Sequence, residues 1–221
     1  VVSLEELIWE GIARQREYVG VHAGHFDYKC KRYAFYKLRF PEAFNIANRK
    51  QKLRFWVGEA LHDKRILPED KNFPFDKMVQ YRKCYFTPDE YYCGPLSNGL
   101  GVLLEKKSVR NWASLGRNFP NPEHVKRCEH YRMAMVLNEY SCSIIALLYI
   151  DYIALRLFMF STSDGSLSLR AVSETKQTFD LLMDDFELSM DKNILPPRHI
   201  TWLCDFCPAF TECFKVSGRN E

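Results

Sequence analysis

Three cysteines near the C-terminal end of the sequence, Cys204, Cys207 and Cys213, stand in a C-x2-C-x5-C run, and a fourth, Cys30, lies far upstream. The run reads Cys204-Asp-Phe-Cys207-Pro-Ala-Phe-Thr-Glu-Cys213, a spacing that can point several thiolates at one soft metal centre. A site joining Cys30 to this run ties the two ends of the chain together and so constrains whatever folds between them. A C-x2-C pair is common at zinc, with His199 or Cys30 as a fourth ligand, but a zinc ribbon normally brings a second close pair, and this sequence has none. Three clustered cysteines and one remote one also fit an iron-sulfur cluster held by four thiolates. On spacing alone, iron-sulfur, zinc and inert thiols all stay open.

At 221 residues and 47% hydrophobic content the chain is long enough to bury a full core. We read it as one domain: residues 1–61 as a helical lobe, 62–190 as the core, and 191–221 as a metal-binding tail. The longest apolar stretch, residues 143–160, is interrupted by Asp151 and Arg156, which fits core strands and not a membrane span. The first ten residues carry acids and no basic leader, so no signal peptide is expected and the location is read as cytoplasmic. Eight cysteines without a secretory signal then read as reduced thiols, with Cys84, Cys93, Cys128 and Cys142 as small buried hydrophobes. The net charge of +3 excludes little. Its distribution says more: residues 29–54 hold nine Lys or Arg, among them Lys31 and Arg32, against one acid, with aromatic residues interleaved. Basic groups neutralise phosphates and aromatic faces stack on unpaired bases, so the stretch suits single-stranded nucleic acid; an amphipathic helix pair with a solvated basic face fits it too.

Apolar spacing predicts helices over residues 4–18, 43–61, 124–137 and 170–190, the last ended by Pro196-Pro197. Strands are expected over 79–86, 144–149 and 153–160, and a hairpin over 91–96 and 102–109 turning at Ser97-Asn98-Gly99. Residues 111–122 read as a loop. Helices first, then a strand-rich centre broken by one helix, then a helix and the cysteine tail give an α/β or α+β class.

Val102-Leu-Leu-Glu105-Lys106-Lys107 is an apolar strand ending in E-x-K, and a period of two puts Glu105 and Lys107 on one face. A carboxylate there can hold Mg2+ or Mn2+, and a neighbouring lysine can orient a water and offset charge on a phosphate; an ordinary charged strand end has the same pattern. His62, closing a helix in Gly58-Glu-Ala-Leu-His62, is a candidate ligand or a structural histidine. Arg127 and Tyr131, four apart, share a helix face that either packs or touches a phosphate backbone.

In this order the elements resemble the iron-sulfur RecB-like branch of the PD-(D/E)XK nucleases, nearest in size to the CRISPR-associated Cas-four exonucleases. The resemblance covers the chain from about Cys30 to Cys213. Cys30-Lys-Arg-Tyr-Ala-Phe-Tyr36 is similar to the family's first cysteine segment, and the tail matches its C-x2-C-x5-C, including the proline after the second cysteine. Gly58-x-x-Leu-His62 resembles the first nuclease motif, Glu105-x-Lys107 the third, and the helix bearing Tyr131 the Q-x-x-x-Y motif. The resemblance implies a restriction-endonuclease-like mixed sheet flanked by helices. It also implies a 4Fe-4S cluster on Cys30, Cys204, Cys207 and Cys213, and a Mg2+ or Mn2+ ion on His62 and Glu105. Lys107 and Tyr131 then join Glu105 in catalysis, Arg127, Lys31 and Arg32 contact DNA, and the partners are single-stranded DNA ends and the CRISPR integrase.

Two positions depart from the family pattern. The glutamine of the helix motif falls at Arg127, and the second motif, G-x-x-D, falls on Gly94-Pro-Leu-Ser97, with serine in place of the aspartate. Loss of a hard oxygen donor weakens cation binding and slows hydrolysis. Asp89 or Glu90 takes the place of that acid if the strand register differs. The rival readings are a degenerate nuclease fold that holds DNA or a protein without cutting, and a zinc-stabilised interaction protein.

Overall fold

The computed structural model describes residues 20–26, 30–40, 58–74, 77–109, 120–151, 154–161, 169–198, 200, 204, 207, 209–210 and 213. The chain divides into two compact units, Val57–Asp180 and the combination of Val1–Trp56 with Leu181–Glu221. The helix expected over 4–18, most of that over 43–61 and most of the loop over 111–122 lie outside the described residues.

In the unit made from both chain ends, β1 (Val21–His22) leads into a 3-10 turn (Ala23–Phe26), and α1 spans Lys31–Arg39. Helix α1 begins directly after Cys30, whose backbone is extended, and it buries Ala34, Phe35 and Tyr36 on one face. Helix α3 (Val172–Asp191) contributes its residues from Leu181 onward to this unit. There Phe186 meets Phe26 edge to face at 5.2 Å, Lys31 pairs with Asp185, and Arg39 donates to the Met190 carbonyl at 2.7 Å. Thr175, Phe179, Met183 and Phe186 form the buried stripe of α3, a spacing of three to four residues that confirms the helical period read from the sequence.

The unit Val57–Asp180 holds a hairpin of β2 (Val79–Tyr81) and β3 (Cys84–Phe86) where one continuous strand was expected. Its turn, Arg82-Lys83, carries no Gly or Asn signal, yet Arg82 adopts a left-handed φ of 54°. The guanidinium of Arg82 donates to the Asp180 carbonyl at 3.0 Å, a tertiary anchor that helps to hold this conformation. Four further strands form a sheet in the order β4 (Glu90–Tyr92), β5 (Val102–Ser108), β6 (Ile144–Ile150) and β7 (Leu155–Ser161). β4/β5 and β6/β7 are antiparallel and β5/β6 parallel, so the sheet is mixed. A parallel pair needs a crossover, and α2 (Pro122–Leu137) supplies it. Asn121 caps α2 by accepting from the Glu123 amide at 3.0 Å, and its own amide donates to the buried Tyr149 hydroxyl of β6 at 3.1 Å. β6 lies inside the sheet, and Ile145, Leu147 and Tyr149 on one face and Ala146 and Leu148 on the other are all buried, as a strand covered on both faces requires. The architecture is a mixed α+β fold with sheets flanked by helices. Among the described residues no helix is long and apolar enough to cross a membrane.

The first strand of the expected 91–96/102–109 hairpin starts one residue earlier and stops at Tyr92. Pro95 cannot donate to a ladder, and Pro95–Ser97 forms a 3-10 turn instead. One buried network then fixes the hairpin. Lys106, fully buried, donates to Glu90 Oε1 at 2.9 Å and to the carbonyls of His62 at 2.8 Å and Lys64 at 2.6 Å. Glu90 in turn accepts from the amides of Ile66 at 3.0 Å and Leu67 at 2.6 Å. Each charge satisfies the other and a set of backbone groups, so removing either partner alone costs about 3–5 kcal/mol. The network clamps the segment that carries His62 against β4 and β5.

Candidate functional site

Side chains alternate along β5, so Lys106 faces the clamp while Glu105 and Lys107 face the other way. Glu90 is paired with Leu104 at the end of the antiparallel ladder, and Asp89, just before the strand, lies close enough to Glu105 for its charge to act on that carboxyl. The Asp89 carboxylate is held at both oxygens: Oδ1 lies 2.6 Å from His62 Nδ1, and Oδ2 accepts from the Lys106 amide at 2.6 Å. Glu105 Oε1 accepts from Lys107 Nζ and from Arg127 Nη1, the latter at 3.3 Å. Glu105 Oε2 is buried and has no hydrogen-bond partner.

That orphaned oxygen decides what the group can do. Burial, reinforced by the Asp89 charge and opposed by Lys107, pushes the Glu105 pKa up to about 7. Burial opposes the Lys107 charge, but Glu105 and Asp89 overcome it and hold the ammonium above its ordinary range. Two carboxylates at close quarters and an unsatisfied oxygen match the hard donor set of a divalent cation, with an imidazole beside them. The residues present therefore fit Mg2+ or Mn2+. Among the described residues, the cysteines included, no three His, Cys, Asp or Glu side chains are gathered tightly enough to hold an ion as they stand; at this site His62 is engaged with Asp89, and Glu105 Oε1 with Lys107 and Arg127.

A pH dependence follows. Glu105 titrates at about 7 when folded against 4.5 ordinarily, so in the cation-free protein its contribution is full below about pH 4.5 and is lost as the pH rises through 7. The expected loss is about 3 kcal/mol by pH 8. Thermal melts of wild type and Glu105→Gln in chelator should diverge between pH 5 and 8, with wild type losing relative stability; parallel curves would contradict the shift.

Sequence-predicted residues divide as follows. His62, Glu105, Lys107 and Arg127 come together, and Tyr131 lies on the same face of α2 as Arg127, buried against Phe86 at 6.3 Å. Burial and the nearby Glu105 charge keep the Tyr131 phenol protonated well beyond its usual range. Arg127, expected at a DNA backbone, reaches a carboxylate. The Ser97 hydroxyl closes its own turn, donating to the Gly94 carbonyl at 3.0 Å. The carboxylate near Glu105 is that of Asp89, one of the two alternatives to Ser97 read from the sequence. Cys128, read from the sequence as a small buried hydrophobe, is one and lies near Glu105, and sequence reasoning missed His124. The Cys128 thiol is fully buried and its pKa is raised by burial and by Glu105. His124, kept neutral by burial and Lys107 with a pKa of about 4, meets the Tyr149 hydroxyl at 2.9 Å.

The other unit carries a second cluster. Cys30, Cys204, Cys207 and Cys213 line one cavity with Arg32, Tyr36 and Arg198. Burial, and then the three neighbouring thiols, raise the Cys207 pKa to about 11. Four thiols around one space fit a four-thiolate centre. Lys31 and Arg32, expected on DNA, are engaged inside the unit: Lys31 with Asp185, Arg32 with the Pro196 carbonyl at 2.6 Å and the Cys213 sulfur at 3.7 Å.

No protein-family model and no curated protein matches the sequence. Among solved structures the chain is similar to the crystal structure of SSO0001, with a TM-score of 0.61, 14% sequence identity and 95% of each chain covered. At that identity the likeness extends to the fold.

Proposed function

We propose that the protein is a Mg2+- or Mn2+-dependent DNA exonuclease of the PD-(D/E)XK type acting on single-stranded ends, with a 4Fe-4S cluster in its four-cysteine cavity. The observation that carries this reading is Asp89 close to Glu105, with His62 and Lys107 beside them and one Glu105 oxygen unsatisfied. Asp89, Glu105 and His62 are the ligands of the cation. A divalent cation, when bound, polarises the phosphodiester and acidifies a coordinated water. Lys107 would orient the attacking water and offset the charge that builds on the phosphate, while Arg127 and Tyr131, on one face of α2, would hold Glu105 and the packing behind it in place. Water oxygen bonds to phosphorus, the bond to the departing nucleotide oxygen breaks, and that oxygen leaves with a proton. By resemblance, the substrate is DNA trimmed before capture by the CRISPR integrase.

Ser97 and Arg127 motivate the rival reading of a non-cutting fold; the Asp89 carboxylate near Glu105 supports the cutting one. Labelled single-stranded DNA incubated with Mn2+ and the cluster-loaded protein tests the proposal. Shortening of the strand is expected, with loss of at least about 100-fold in Lys107→Ala. No cleavage by wild type, or cleavage unchanged by Lys107→Ala, would sink it.

A further inference from the structure

The four-cysteine cavity is lined on its charged side by arginine alone: among its described lining residues, Arg32 and Arg198 are present and no carboxylate is. Arg198 donates to the Cys213 carbonyl at 3.5 Å. Arg32 does more with its fork. Nε donates to the Pro196 carbonyl at 2.6 Å and Nη1 to the Cys213 sulfur at 3.7 Å. Arg32 sits in the first turn of α1, two residues after Cys30, so one guanidinium joins the N-terminal ligand segment to the C-terminal one. Pro196 is buried, which makes its carbonyl a fixed anchor.

We propose that Arg32 is the positioning residue of the four-thiolate centre: it holds Cys213 in place for the metal and offsets the charge of the loaded site, setting both metal retention and reduction potential. The inference rests on the four-thiolate reading above. Four thiolates around a dipositive ion or cluster core leave a net charge of about −2, and one-electron reduction adds another. An N–H donor on a ligand sulfur stabilises the more negative state, so it raises the potential, and it lowers the tendency of the sulfur to leave the metal. Lysine cannot replace it fully, because a single ammonium does not reproduce the planar fork that serves two fixed acceptors at once.

The test compares wild type with Arg32→Gln, Arg32→Lys and, as a control in the same unit, Arg39→Gln. Iron and sulfide content, the midpoint potential by optical titration and the rate of bleaching in excess chelator are the readouts. In Arg32→Gln we expect a tenfold weaker reduction equilibrium, a fall of about 59 mV for one electron, and chelator-driven loss about tenfold faster. Arg32→Lys should recover part of the potential and keep the fast loss, and Arg39→Gln should match wild type. Full iron and sulfide in Arg32→Gln with unchanged potential and loss rate overturns the proposal. If that variant does not fold, Arg32→Lys decides, and identity with wild type in both readouts overturns it. Wild type that holds zinc and no sulfide ends the cluster reading instead; Arg32 is then judged on zinc release, where equal rates in wild type and Arg32→Gln overturn it.

Discussion

Asp89→Asn should lower Mn2+-dependent cleavage of single-stranded DNA by on the order of 10³-fold, about 4 kcal/mol of transition-state stabilisation, while Ser97→Asp leaves the rate within about twofold. Asparagine keeps the size and an acceptor for the Lys106 amide but removes the charge that, with Glu105, attracts a cation. The fold should survive, because the clamp that fixes the hairpin runs through Glu90 and Lys106 and not through Asp89. Cation affinity is the companion measurement: Mn2+ titration followed by electron paramagnetic resonance should show binding weakened in Asp89→Asn and unaltered in Ser97→Asp. The opposite pattern, with cleavage gained in Ser97→Asp and indifferent to Asp89, would return the acid to the 3-10 turn and revive the non-cutting reading.

The second large effect belongs to the cysteines. Purified anaerobically, the wild type should be brown, since iron-thiolate and iron-sulfide charge transfer absorbs visible light and zinc, a filled-shell ion, does not. Cys207→Ala should lose colour, iron and sulfide together and melt about 10 °C lower or more, because the free energy of a structural metal site is folding free energy. Cys93→Ala, whose thiol donates to the Gly99 carbonyl at 3.1 Å, is the control and should keep its colour. A Cys207→Ala protein as brown as wild type would exclude that thiol as a ligand.

Much of this was written in the chain at short range. The helical stripe of α3, the apolar run of β6 and the E-x-K alternation of β5 are periodic signals, and periodicity survives into the structure because each element buries the face its period defines. The tail cysteines were legible from their spacing and Cys30 through the resemblance, and the four line one cavity. Where the reading failed, the deciding term was tertiary. The Arg82-Lys83 turn lacks glycine and is anchored by Asp180, nearly a hundred residues on. The first strand of the hairpin was drawn too far, through Gly94-Pro95; a proline that cannot join a ladder was the available signal, and it moves the strand end back to Tyr92. Arg32 and Lys31 looked like surface charge because a basic run reads as solvated until its partners from the far end of the chain are known.

The pleat of β5 has one more consequence. Lys106 and Lys107 are neighbours of identical chemistry sent to opposite sides of a sheet, one into a sealed ion pair with Glu90 and one beside Glu105, and where the chain enters β4 the neighbours Asp89 and Glu90 divide the same way. A slip of one residue in β5 would turn every side chain of that strand to the opposite face, so that in one direction Glu105 would meet Glu90 and in the other Lys106 would stand in the place of Glu105. The charge order along β5 therefore acts as a key cut for a single alignment, so that a hairpin able to hold itself shut already carries Glu105 and Lys107 on the side of Asp89.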